Sequence, residues 1–221
     1  MISAFIRNLH GRKILTENEV KDLLRVYKIT TTRYALINSA HDININNLKK
    51  LDYPVVLKVC SPRYSHKTEV GGVKLNIKTK QELFDAVKEF QCKFPGERLL
   101  VETQELKGIE VIIGLVQDPT FDIAIMFGLG GVFTEALRDV TFRIVPIERY
   151  DAEQMLQEIK ARKIFEGFRG MKVSRNALID ILLKTSQLGY DCQHYIKELD
   201  LNPVFARAKD AVVVDARMIL R

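Results

Sequence analysis

Lys58 stands in the middle of the apolar run Val55-Val-Leu-Lys-Val-Cys60, between Leu57 and Val59, against the pattern of a buried strand. A lysine in that setting usually has an anion to meet. The polar loop that follows carries Arg63, His66 and Lys67 and ends in Gly71-Gly72, where backbone N–H groups can approach a ligand with no Cβ in the way. That is the chemistry of phosphate cradling. It is not the Walker form: GxxxxGK[ST] is absent from the chain, and Gly71-Gly72 leads into a strand-like segment, Val73 to Ile77, rather than a helix. Imidazole can act as a nucleophile toward a phosphoryl group, and only His66 lies among glycines and basic residues, since His10, His41 and His194 have no comparable setting. A loop histidine also fits a plain surface role.

A second set lies near the C-terminus. Alternation along Tyr195 to Val204 puts Glu198, Asp200 and Asn202 on one face of a strand and turns Leu199 and Leu201 to the core. Neighbours two apart are about 6.6 Å from one another, a span that a magnesium ion and its waters can bridge. On the partner strand Asp215 interrupts Ala211-Val-Val-Val214, so Asn202 and Asp215 offer oxygen ligands from two strands to one hard cation. A turn at Asn202-Pro203 with Asp215 as a surface acid fits the same residues. Glu110 intrudes into Ile109 to Ile113 on the face of Ile112 and Gly114. A carboxylate there suits vicinal ribose hydroxyls, or equally the solvated side of an antiparallel sheet. Gly128-Leu-Gly-Gly131 suits close approach of a ligand or a hairpin connection, and Arg138 and Arg143 nearby suit phosphate neutralisation or open surface.

These side chains need elements to hold them. Thr16 with Glu19, and Thr79 with Glu82, form capping boxes opening two helices, with Val20, Leu23, Leu24 and Tyr27 facing inward in the first and Leu83, Val87 and Phe90 in the second. Residues 1–13 read as an extended or frayed lead-in, Thr31 to Ile37 as a short strand, Asn38 to Asn47 as loop or a weak helix start, and Pro95-Gly96 as a stop. From Arg98 an antiparallel meander is expected over Leu99–Val101, Ile109–Val116 and Ile123–Phe127, with Phe142–Ile147 following. Asp151 caps one helix and Ser174 a longer one with Leu178, Ile181 and Leu182 buried. Two strands, Tyr195–Val204 and Ala211–Ala216, close the chain around a Lys209-Asp210 turn. The expected division is a small lobe over 31–97 and a larger one over 98–221, with the 16–29 helix packed on the larger.

At 221 residues, 47% hydrophobic and 28% charged, the chain has enough apolar surface for real cores. The net charge of +6 comes from scattered lysines and arginines without a basic stripe, which an anionic small molecule explains without a nucleic acid. Cys60, Cys92 and Cys192 are odd in number and form no CxxC, so neither a disulfide framework nor a zinc site is expected and a cytoplasmic setting fits. No apolar run approaches membrane length and Met1 to His10 lacks a signal h-region, so no membrane partner is expected.

Four ordered blocks, PVVLKVCSPRYSHKTEVGGVKL, GIEVIIGLVQDPTF, MFGLGGVFTEALRDVTFRIVPI and ELDLNPV with VVVDAR, make the chain from Thr16 to Arg217 resemble the ATP-grasp β subunits of ADP-forming acetyl-CoA synthetases, relatives of the succinyl-CoA synthetase β subunit. The resemblance implies an α/β (α+β) ATP-grasp fold of two lobes with ATP or ADP in the cleft between them. It implies Lys58 on the phosphates under the Gly71-Gly72 loop, Glu110 on the ribose, Asn202 and Asp215 on Mg²⁺, His66 as a phosphate relay and Asp200 as the acid that steadies a phosphohistidine. The adenine edge falls to the hinge, where Thr103 and Gln104 stand in place of the family's usual glutamate and methionine, with Glu102 one place earlier, and Arg143 is counted with the nucleotide set. It also implies a separate CoA-binding α partner that carries the principal phosphohistidine, in a heteromer. Arg63-Tyr64-Ser65 is more polar than the family's equivalent, and the segment after Phe168-Arg-Gly170 lacks its proline-rich turn. A stand-alone ATP-grasp carboxylate ligase and a non-catalytic nucleotide-binding module remain as rivals, separated from the first reading by phosphorylation of His66 and by phosphoryl exchange.

Overall fold

The computed structural model describes residues 11–44, 48–64, 66–131, 139–160, 162–166 and 172–221. Residues 45–47, Ser65, Arg138 and Phe168-Arg-Gly170 lie outside the described residues.

The chain forms two compact units, one of residues 16–18 and 32–106, the other of 1–15, 19–31 and 107–221. In the smaller unit a four-stranded antiparallel sheet is ordered β1-β4-β2-β3, from β1 (Tyr34–Ile37), β2 (Val55–Cys60), β3 (Val73–Ile77) and β4 (Arg98–Thr103). Helix α2 (Lys80–Lys93) lays Leu83, Val87 and Phe90 on one face, against Leu57, Val59, Leu99 and Val101. Thr79 caps it by accepting the Glu82 N–H, while the Glu82 carboxylate reaches back one residue further than a capping box, to the Lys78 N–H. The unit boundary corrects the expected one: β4 is an inner strand of the small sheet, paired with both β1 and β2, so the crossover to the larger unit falls after Leu106. A strand's partner lies far away in sequence, and the apolar run at Leu99 looks the same in either sheet.

The larger unit is built on the sheet β10-β8-β5-β6-β7, with β9 also on β8. Its strands are β5 (Ile109–Asp118), β6 (Asp122–Leu129), β7 (Val140–Ile144), β8 (Ile196–Ala206), β9 (Ala211–Val213) and β10 (Ala216–Leu220). The third closing strand, β10, was not expected; it pairs the first half of β8, and residues 13–15 bond to its other edge through Leu15 N–H to Met218 O and Leu220 N–H to Lys13 O. One sheet face is covered by α3 (Arg149–Glu158) and α4 (Arg175–Asp191), whose Met155, Leu178 and Leu182 meet Ile113, Leu115, Ile125 and Phe127 in one core. A Cβ on Gly189 would lie 2.9 Å from Leu115, so glycine is what lets α4 sit this close to the sheet. The helix expected to start at Asp151 starts three residues earlier: Glu148 is the cap and Asp151 its reciprocal partner. Helix α1 (Glu17–Val26) adds Val20, Leu23 and Leu24 to this core, each buried apolar side chain contributing about 1.5–3 kcal/mol. No helix among the described residues is long and apolar enough to cross a membrane.

The cysteines sort by burial. Cys92 is exposed while Cys60 and Cys192 are buried, and burial raises the Cys60 thiol and pushes the Cys192 thiol up to about 12. Native protein should therefore titrate one fast thiol with a disulfide reagent, removed by Cys92→Ser, and two more only after denaturation; a fast Cys192 contradicts its packing.

Candidate functional site

In the smaller unit Lys58 meets its anions within the protein. On the sheet face away from α2, Lys58 Nζ lies 2.8 Å from Glu17 Oε1 and 2.6 Å from Glu102 Oε1, with all three side chains buried. The other Glu17 oxygen takes Lys67, and Glu102 Oε2 accepts the Thr32 hydroxyl at 2.7 Å. Two carboxylates and two ammonium groups thus close into a buried network. Glu17 was missed from the sequence, because an acid in the first turn of a helix reads as ordinary dipole complement.

The loop after β2 is tied down by the same groups. Gly72 N–H donates to Lys67 O at 2.6 Å, Gly71 N–H to Thr68 O at 3.0 Å, and Gly72 O accepts the Val59 N–H. Glycine is needed there for packing: a Gly72 Cβ would sit 2.6 Å from Val59 Cγ1, and Gly71 has φ +61°. These N–H groups close the loop on itself. His66 projects from the loop with its side chain 62% exposed, Nδ1 3.5 Å from a Glu69 carboxylate oxygen. At the expected adenine edge Thr103 N–H donates to Arg33 O, its hydroxyl accepts the Asp52 N–H, and Gln104 N–H donates to Pro54 O. Both Glu102 and Thr103 therefore spend their polar groups inside this unit.

In the larger unit the register of β10, β8, β5, β6 and β7 places Arg217, Asp200, Gly114, Met126 and Phe142 directly opposite one another in one row. The next row runs Ile219, Glu198, Val116, Ala124 and Ile144. Direct cross-strand partners share a face, and this one is opposite the helices: Leu199, Leu201, Ile113, Leu115 and Met218, one residue along each strand, are core. The face is acidic over β8, carries Arg217 on β10 and is apolar over β6 and β7, where Phe142 and Ile144 are about half exposed. Gly114 opens a hollow of about 340 Å³ between the halves, bounded by Ile112, Met126, Glu198, Asp200 and Asn202.

Asn202 donates its backbone N–H to Asp215 O at 3.2 Å, so the two expected metal ligands do stand opposite each other. Asp215 Oδ1 accepts the Ala216 N–H at 2.8 Å. Among the described residues no three His, Cys, Asp or Glu side chains are gathered as a metal cage; an amide and a carboxylate fit Mg²⁺, which binds through one or two protein oxygens and keeps waters and phosphates. Burial pushes the Asp200 carboxyl up to about 6, the charges of Glu198 and Asp215 add to the rise, and Arg217 opposes it.

Glu110 lies on the same face as Ile112 and Gly114, and the glycine-rich segment folds onto it. Gly130 N–H donates to Glu110 O at 2.7 Å, and a Cβ on Gly131 would be 2.9 Å from Glu110 Oε2. Arg143 is not brought to this set. Paired opposite Ile125, it faces the helix side, bonded to Glu158 and to Thr141 Oγ1. Arg217 was missed, although a charge between Ala216 and Met218 breaks an apolar run just as Lys58 does.

A fold of this composition, with a small α+β unit and a larger antiparallel sheet presenting an amide and acids, belongs to a defined class. The chain is a member of the ATP-grasp domain family, whose profile matches residues 8–220. It is 42% identical over 221 residues to the acetate–CoA ligase [ADP-forming] II subunit beta of Pyrococcus furiosus, covering 96% of this chain and 93% of that one. It is 39% identical to the acetate–CoA ligase [ADP-forming] II of Archaeoglobus fulgidus, covering 94% of this chain and 30% of that longer one. Among solved structures it resembles the dinucleotide-forming acetyl-coenzyme A synthetase 1 of Ca. Korarchaeum cryptofilum, with coenzyme A, Mg-AMPPCP and a phosphohistidine segment pointing towards the nucleotide binding site. There the TM-score is 0.85 and the identity 41%, over 97% of this chain and 96% of that chain.

Removing Glu17 takes a carboxylate from both Lys58 and Lys67, while Glu102 stays on Lys58. Glu17→Ala should lower stability by about 3–5 kcal/mol in urea denaturation, and a loss below about 1 kcal/mol, the range of an exposed pair, would show that the network is not closed as drawn.

Proposed function

We propose that the chain is the nucleotide-binding β component of an ADP-forming acetate or acyl-CoA ligase, in which acyl-CoA, ADP and phosphate are converted reversibly to acid, CoA and ATP. The observation that carries this reading is the gathering of Asp200, Asn202 and Asp215 on one sheet face beside the Gly114 hollow, in a chain related along its length to a named β subunit. Asn202 and Asp215 hold Mg²⁺, which when bound neutralises charge on phosphate oxygens. Glu110 accepts the ribose hydroxyls. Lys58 meets phosphate by exchanging one of its two carboxylate partners for a phosphate oxygen, which keeps its charge paired.

Phosphoryl transfer here is a matter of positioning and charge. Asp200 takes the N–H of a phosphohistidine ring that is protonated on its unphosphorylated nitrogen. The P–N bond breaks with its electron pair going to the ring nitrogen, an oxygen of the ADP β-phosphate forms the new P–O bond, and the ring leaves as neutral imidazole. His66, exposed on its loop, serves as the histidine on this chain that relays the group. The principal phosphohistidine belongs to a CoA-binding α partner. Support for a partner comes from the subunit naming of the Pyrococcus relative and from the Archaeoglobus relative, in which the matched stretch is 30% of a longer chain.

Co-purified with a CoA-binding partner, the protein should make ATP only when acyl-CoA, ADP and phosphate are all present, with acid-labile ³²P on histidine that is lost from this chain in His66→Ala. Asn202→Ala and Asp215→Ala should raise the Mg²⁺ requirement about 10–100-fold. ATP turnover without histidine labelling would favour a stand-alone ligase, and tight ADP binding without exchange a regulatory module.

A further inference from the structure

Arg217 heads the row that runs through Asp200 and Gly114, and nothing assigned so far uses it. Its flanking residues, Ala216 and Met218, are core, so the register turns its side chain to the same face as Asp200. The guanidinium Nε is buried and has no hydrogen-bond partner among the described residues. Asp200 stands directly opposite Arg217 on β8, Glu198 lies opposite Ile219 in the next row, and Asp215 is two residues before Arg217 in the chain. A buried arginine nitrogen left unbonded beside acids calls for a ligand that the protein itself does not supply. Gly114, next in the row, adds no side chain to the floor of the hollow.

We propose that Arg217 binds the phosphoryl group under transfer in the hollow over Gly114. Its planar fork matches two oxygens of a phosphoryl group, which a lysine would meet only as a point charge. The three acids would otherwise repel that group. Asn202 and Asp215 would hold Mg²⁺ to offset one side, and Arg217 offsets the Asp200 side. As the P–N bond breaks and the P–O bond forms, the three equatorial oxygens carry the charge, while Arg217 neither gives nor takes a proton. The role rests on the phosphoryl-transfer reading and adds to it a residue that touches the reacting group.

The test uses the complete complex and compares wild type with Arg217→Gln and Arg217→Lys. In Arg217→Gln, kcat for ATP formation should fall about 10²–10³-fold, as for loss of one donor to transition-state charge. The loss should be smaller in Arg217→Lys, and the KM for ADP and the melting temperature should stay near wild type. Guanidinium ion at millimolar concentration should restore part of the Arg217→Gln rate. A kcat in Arg217→Gln close to wild type, a change confined to the KM for ADP, or a loss that follows the melting temperature and resists guanidinium would each overturn the assignment. Wild type that makes no ATP sinks the phosphoryl-transfer reading, and Arg217's role with it.

Discussion

The larger unit depends on the two-residue period of β8. Leu199 and Leu201 are buried in the core and the strand is clamped by β5 on one side and by β9 and β10 on the other. A slip of one residue would expose both leucines and press Glu198, Asp200 and Asn202 into hydrocarbon. Apolar burial, which has nothing to do with phosphate, thus fixes which polar groups share a face. The same register aligns Gly114 with Asp200 and brings Met126 in behind it, so the shape of the hollow follows from the core as well.

The smaller unit solves a different problem. Lys58, Lys67, Glu17 and Glu102 are buried together, and a set balanced in charge can still cost more to desolvate than its attractions return. What it secures is the path of the chain. Glu17 joins the segment 16–18 to β2 and to the loop after it, Glu102 joins β2 to β4, and Lys67 sits where its carbonyl receives Gly72 N–H. The loop is held at its base by these contacts, and His66 projects from a fixed stem into solvent.

Which parts were legible follows from how local the signal is. Asp200, Asn202 and Glu110 were readable because alternation is a property of a single strand, and Asp215 because a carboxylate breaks a run of valines. Lys58 was correctly singled out as a buried charge, but its partners, Glu17 and Glu102, lie 41 and 44 residues away and no periodicity links them. Gly71-Gly72 was read for its permissive backbone; the side chains of Val59 and Lys93, which decide the packing, come from other elements. Arg143 was placed by proximity in sequence to the glycine-rich segment, whereas its face is set by pairing with Ile125 on β6. The placement of β4 and the existence of β10 were lost for the same reason: apolar runs announce strands and say nothing of which edge they join.

Charge on the site face orders the chemistry. Glu198, Asp200 and Asp215 outnumber Arg217 there, and the raised proton affinity of Asp200 reflects that imbalance along with burial. Such a face does not welcome a bare phosphate. On the proposed assignment, an amide and a carboxylate alone would give Mg²⁺ little reason to stay without phosphate oxygens to complete its shell. Metal and nucleotide would then favour each other's arrival, and the same acids that repel a bare phosphate would select one that brings its own cation.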